Sequence, residues 1–238
     1  MGRWVARSVD AEVTFADADG AVAHEAAAAQ GADYVQTDTE ETFDAVCLAV
    51  PMSVAEAAVG DYAPLAERAL LDVSGEMAGP VAAMREHAPD RERASLHPLF
   101  APTNAPGNVA LVADERGPVV DSLLSDLTAA GNNVFETTPA EHDEAMETVQ
   151  AGAHTAVLAY ALAAEEVREE FHTPVSAALD DLVGTVTDGT PRVYREIQEA
   201  FDGAGDVAAA ARRVADAEGE AFDALYAEAG DGGGLGVE

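Results

Sequence analysis

Only a few side chains in this sequence combine a reactive type with a setting that could hold it for chemistry. His97 follows the short apolar run Ala94–Leu96 and precedes Pro98, so it stands where a strand stops. An imidazole titrates near neutral pH and suits proton transfer, although a histidine before proline also serves as a turn or satisfied core residue. Gln150 and His154 stand four apart in a helical stretch and share one helix face. Asp17 closes the run Val13–Ala16, and Asp72 and Ser74 flank the end of the run Ala69–Val73. His142 and Asp143 follow Pro139 in a first helical turn, where acids are favoured anyway. That structural role is the preferred reading for both. His24, His87 and His172 lie in polar surroundings and read as surface residues. No Cys/His or Asp/Glu cluster has metal-ligand spacing, so no metal is expected.

The elements that must position these residues come in two patterns. Up to about residue 138, β-rich runs alternate with alanine-rich helical runs. Val13–Ala16, Asp33–Val35, Ala45–Val50, Ala69–Val73, Ala94–Leu96, Val109–Ala113 and Asn133–Thr137 read as strands. Gly20–Gln30, Val54–Gly60, Gly79–Glu86 and Pro118–Ala130 read as helices, with a further short helix at the very start. This alternation predicts a mostly parallel sheet covered on both faces. Ala45–Val50, apolar almost throughout, is expected at its centre. From Pro139 long helical runs take over: Pro139–Phe171, Pro174–Val186, Pro191–Phe201 and Gly205–Ala229, then a glycine-rich tail from Gly230. The expected organisation is therefore an α/β domain over residues 1–138 and an all-α domain over 139–238.

In doubly wound sheets a ligand lies outside the carboxyl ends of the strands. Pro51–Ser53, Asp72–Ser74 and Leu96–Pro98 each close a strand and should meet on that side. Val13–Asp17 looks like the second strand of a Rossmann unit, ending in the acid that binds the adenosine ribose roughly 20 residues after the first glycine of G-x-G-x-x-G. The spacing fits if Gly2 is the last glycine of that motif. An Asp closing a strand is, equally, a common turn residue.

Composition narrows the partners. There are 45 acidic residues against 12 basic ones, giving a net charge of −33, and every basic residue is Arg. The acids are dispersed along a chain that is 48% hydrophobic, so they coat a folded protein rather than form a tail. Such a field repels nucleic acid and anionic membranes. It suits a high-salt environment, where a Debye length of about 3 Å at 1 M screens self-repulsion. Cys47 is the only cysteine and, among apolar neighbours, reads as a small core residue. With no membrane span and no signal peptide pattern, a cytoplasmic protein is expected.

Four segments resemble the prephenate/arogenate dehydrogenase family over nearly the whole chain. Ala45–Pro51 is similar to its strand ending Val-Pro, and Leu71–Met84 to its Asp-x-x-Ser-x-Lys-x-Gly-Pro segment. Leu96-His97-Pro98-Leu99-Phe100-Ala101-Pro102 is close to His-Pro-Met-Phe-Gly-Pro. Glu141-His142-Asp143 with Gln150 and His154 resembles Glu-His-Asp and Gln-x-x-x-His. The resemblance implies oxidative decarboxylation of prephenate with NAD(P)⁺, NAD being favoured by Asp17, in tyrosine synthesis. It gives His97 the proton from the ring hydroxyl, His154 a substrate-side role, and Gly2, Arg3, Asp17, Pro51 and Met52 the cofactor. It also implies a homodimer through the helical half, for which Val207–Val214 and Ala221–Tyr226 offer apolar surface. Departures are plain. Gly75 and Met77 replace the family's Ser and Lys, with Ser74 the available hydroxyl. Thr185 stands where many members clamp the substrate carboxylate with Arg, leaving Arg192 and Arg195 as the nearest cations. Met1-Gly2-Arg3 resembles the last residues of the family's glycine turn, so a first strand is expected upstream of Met1. An arogenate dehydrogenase, a related reductase and a decayed, non-catalytic dimerising protein are the competing expectations.

Overall fold

The computed structural model describes residues 1–231; the glycine-rich tail expected from Gly230 lies almost wholly outside them. The chain divides into two compact units, Met1–Glu144 and Ala145–Glu238. The first unit opens with α1 (Gly2–Ser8), β1 (Thr14–Phe15), α2 (Gly20–Gln30) and β2 (Asp33–Tyr34). Then follow β3 (Phe43–Leu48), α3 (Met52–Tyr62), β4 (Ala66–Asp72), α4 (Ala78–His87) and β5 (Glu92–Pro98). β6 (Asn108–Glu115), α5 (Pro118–Ala129), β7 (Asn133–Glu136) and α6 (Pro139–Met146) complete it. All seven expected strands are present. Gly31, at φ 65°, ends α2 in the left-handed conformation that glycine adopts without steric cost.

β3 to β7 form one sheet in sequence order: β3, β4 and β5 are parallel, and β6 and β7, parallel to each other, run the opposite way. β1 and β2 form a separate parallel pair, and among the described residues no ladder joins them to β3. The alternation of side chains along each strand sends neighbours to opposite faces. Leu71, Ala94, Leu96, Val109 and Leu111 pack with Trp4 and Val5 of α1 and Val120, Leu124 and Leu127 of α5. Leu70, Ala110 and Val112 pack with Val59 of α3 and Val81 and Met84 of α4. Both faces are thus covered, as in a Rossmann-type doubly wound fold. Asp72, Ser95 and His97 share the α3/α4 face, because they sit an even number of residues from Leu70 and an odd number from Leu96 along their strands.

Charged side chains lock this frame. Glu92 accepts hydrogen bonds from the Val119 and Val120 amides at 2.9 Å each and so caps α5. Asp114 takes Arg85 Nε at 2.7 Å and Arg93 Nε at 2.8 Å, tying α4 to the sheet. Arg93 is buried and donates also to the carbonyls of Ala88, Pro89 and Arg91.

One expectation for this unit fails. Among the described residues Ala45–Val50 is not central: β3 is the edge of the five-stranded sheet, with Ala45 and Val46 half-buried and the Cys47 side chain exposed rather than in the core. Its apolar sequence suits neighbours on both sides, and the described residues supply one.

The second unit continues from α6 through a π-helical turn, Glu147–Gly152, into α7 (Ala153–Ala163), α8 (Pro174–Thr187), α9 (Pro191–Ala200), α10 (Ala204–Asp216) and α11 (Glu220–Asp231). Gln198 Nε2 donates to the Ala151 carbonyl at 2.9 Å, pairing a backbone acceptor in the widened turn. Gly203 lies against the same turn: a Cβ there would run into the Glu147 carbonyl. The expected helix Pro139–Phe171 stops at Ala163. Glu165, Glu166, Glu169 and Glu170 follow, and like charges three and four apart oppose a helix. The expected helix Gly205–Ala229 breaks at Gly219, whose φ is 52°.

Candidate active site

Strand register brings the chemistry to one edge of the first unit. Leu48 pairs with Asp72, and Asp72 with Ser95, so β3, β4 and β5 finish side by side. Pro51 caps α3, Met52 opens it, and the Met52 sulfur lies against Gly75 in the turn after β4. His97, two residues beyond Ser95, closes β5 on the α4 face.

His97 does not act alone. Its Nδ1 lies 2.8 Å from His142 Nε2, and His142 Nδ1 lies 2.7 Å from Asp143 Oδ1. Both histidines are buried. Asp143 also accepts the Met77 and Ala78 amides at 3.1 Å each, which are the first donors of α4. Thr138 caps α6 through the Glu141 amide at 3.2 Å and so fixes the turn that carries both residues. The sequence reading left His142 and Asp143 as helix-start residues. The structure joins them to the histidine it had singled out, and their adjacency in the Glu-His-Asp match was the available signal. It also explains why the compact unit runs past residue 138 to Glu144.

Electrostatics set the protonation states. Burial pushes His97 down to about 3, with His142 adding to the effect and Asp143 opposing it, so its imidazole is neutral at working pH. Burial works against the Asp143 charge, but the hydrogen bonds from His142, Met77 and Ala78 outweigh it and hold the carboxyl below its ordinary range. Asp72 is fully buried, and burial raises it to about 6 against the hydrogen bonds of Ser74, the neighbouring Ser95 and the field of His142.

The other expected residues fall out as follows. Ser74 turns its hydroxyl inward, 2.6 Å from both Asp72 Oδ2 and the Glu76 carbonyl, and thus braces the turn after β4. Asp17 is exposed after β1 and accepts the Asp19 amide at 2.9 Å. Gly2 starts α1 beside Ala49, and Arg3 pairs with Glu25 at 3.2 Å. In the second unit, His154 is half-buried. Its Nδ1 is buried without a hydrogen-bond partner, its pKa is lowered by burial, and its ring meets Tyr194 edge to face at 4.8 Å. Arg192 is exposed in the first turn of α9. No group of three metal-binding side chains occurs among the described residues.

A sheet wound on both faces, with its chemistry gathered beyond the carboxyl ends of the strands, is the architecture in which nucleotides bind along that edge. No family model matches the chain. It is 34% identical to the 4-amino-4-deoxyprephenate dehydrogenase of Streptomyces pristinaespiralis over 254 aligned residues, spanning 96% of this chain and 84% of the relative. Its fold is similar to that of prephenate dehydrogenase from Aquifex aeolicus in complex with hydroxyphenyl propionate and NAD⁺. There the TM-score is 0.68 at 12% identity, covering 98% of this chain and 87% of the other. Arogenate dehydrogenase from Synechocystis gives a TM-score of 0.62 at 14% identity, with 96% and 92% covered. The chain belongs to the prephenate/arogenate dehydrogenase family.

Proposed function

We propose that this protein oxidises prephenate to 4-hydroxyphenylpyruvate and CO₂ with NAD⁺, in tyrosine synthesis in the cytoplasm. The observation that carries this reading is the neutral, buried His97 at the carboxyl edge of the sheet, backed by His142 and Asp143. The exposed Asp17 after β1, the Pro51–Met52 backbone after β3 and the turn at Gly75 fit a dinucleotide lying along that edge; Gly2 and Arg3 belong to the same end. A nicotinamide held there would supply the acceptor for the hydride of the ring carbon that carries the hydroxyl. His97 takes the hydroxyl proton as the carbon–oxygen double bond forms. Loss of CO₂ then returns an electron pair to the ring, which becomes aromatic, and the proton goes back to the phenolic oxygen. No net proton leaves.

A second reading is favoured by one relative and one feature. The Streptomyces relative is named for a substrate with an amine in place of the hydroxyl, and the carboxyl groups of Asp72 and Asp143 lie by the imidazole pair, with Glu76 beside Asp143. An ammonium at the reacting carbon suits such surroundings better than the neutral hydroxyl it replaces. Spectrophotometric NADH formation with prephenate, arogenate and 4-amino-4-deoxyprephenate, in molar KCl, separates these readings by kcat/KM. Turnover of none of them would refute the family chemistry for this chain. Substrate-side roles for His154 and Arg192 rest on the resemblance and are tested by KM in the alanine variants. The helical unit leaves Leu162, Phe171, Val175 and Tyr226 exposed, which supports a homodimer; light scattering in high salt that shows only monomer would refute it.

A further inference from the structure

We propose that His142 and Asp143 are a proton-holding arm for His97: they fix its tautomer and take the positive charge that its action as a base would otherwise leave on it. The inference rests on the dehydrogenase reading above and follows from counting hydrogens along the chain of contacts. Ionised Asp143 has no proton to give, so His142 Nδ1 carries one and donates it. The Nε2 of neutral His142 is then an acceptor, so His97 Nδ1 must be the donor in the 2.8 Å contact. Nε2 is thereby left as the basic nitrogen of His97.

When that nitrogen receives a proton, a cation on His97 is costly, as its burial shows. Passing the Nδ1 proton to His142 restores a neutral His97 and places the cation beside Asp143. Every transfer is between nitrogens already in hydrogen-bond contact, and the return of the proton to product retraces it. The Met77 and Ala78 amides at the start of α4 hold Asp143 ionised and in place, so it orients His142 without itself accepting the proton. The charged groups at the pair are Asp72 from β4, which acts on His142, and Asp143 from α6; Glu76, from the turn before α4, lies beside Asp143 and Glu56 of α3. All are acidic and favour a transient cation.

His142 and Asp143 are positioning residues, so the test needs more than lost activity. In Asp143→Asn the amide can keep an acceptor toward α4, but its NH₂ can no longer fix the His142 tautomer. Turnover should fall by roughly 10²–10⁴-fold with KM and NADH binding within about threefold. The acid limb of the kcat profile should move down by about one pH unit, since an imidazolium without a carboxylate partner loses its proton more readily. Imidazole ¹⁵N NMR of the unmodified protein should show His97 and His142 both protonated at Nδ1, whatever the substrate. Nε2–H on either ring, or an acid limb unmoved in an active, folded Asp143→Asn, would overturn the arm while leaving the dehydrogenase reading intact. The expected tautomers in a protein that turns over none of the three substrates would support the arm and sink the substrate reading.

Discussion

Asp72→Asn should stabilise the protein at neutral pH, although it alters a fully buried residue of the sheet. The carboxyl stands at about 6 in the fold against an ordinary 3.8, a gap worth roughly 3 kcal/mol at about 1.36 kcal/mol per pH unit. Because its folded value is the higher one, the native state holds this proton more tightly than the unfolded chain. Its contribution to stability is therefore fully present below about pH 4 and is lost as pH rises to about 6. The geometry agrees: Ser74 has one hydroxyl proton and two acceptors at 2.6 Å, which both pair well only if Asp72 supplies the second proton. Asn cannot ionise, so the penalty above pH 6 vanishes. Against this stands the loss of one hydrogen bond to Ser74, worth about 1 kcal/mol. The variant should gain roughly 2 kcal/mol at pH 8 and lose about 1 kcal/mol well below pH 4. Equilibrium unfolding of both proteins by denaturant across that range, at constant high salt, measures the difference and cancels the titration of the other acids. A difference that stays flat with pH would refute the reasoning about the buried proton.

Three further outcomes are expected. His97→Asn should lower turnover by roughly 10²–10⁴-fold with NADH binding retained; a loss under about threefold would make His97 structural. Asp17→Asn should raise the ratio of kcat/KM for NADP⁺ to that for NAD⁺ by about tenfold or more, by removing repulsion of the 2′-phosphate, and an unchanged ratio would show that the ribose lies elsewhere. Gly203→Ala forces a methyl against the Glu147 carbonyl and should cost about 1–3 kcal/mol, read as an earlier unfolding transition; an unaltered transition would mean the π-helical turn yields freely.

Much of the fold was legible because the first unit is written in periodic signals. Gly20–Gln30 has its cap at Asp19 and its stop at Gly31, and the structure follows both. The strands differ from the reading mostly at their ends, where Glu92 and Arg93 extend β5: neither looks like a strand residue, but each is held by long-range partners, the α5 amides and Asp114. The long C-terminal helices were over-extended, since alanine-rich runs carry helix propensity through stretches where charge repulsion decides the break. His97 stood out through its motif. His142 and Asp143 were visible but read as helix-start residues, because a first-turn acid is common and only the tertiary approach of α6 to α4 shows their contacts with Met77 and His97. Ser74 shows the other side of the same limit. Its hydroxyl looked available in sequence, and the unpaired need of Asp72 claimed it.

The excess of acid over base matters for how the protein behaves in the tube. A net charge of −33 keeps copies apart in dilute buffer. The molar salt that relieves strain within each molecule also removes that barrier between molecules, since screening does not distinguish the two. Solubility should consequently pass through an optimum with ionic strength, rising while screening relieves repulsion within each molecule and falling once it no longer keeps copies apart.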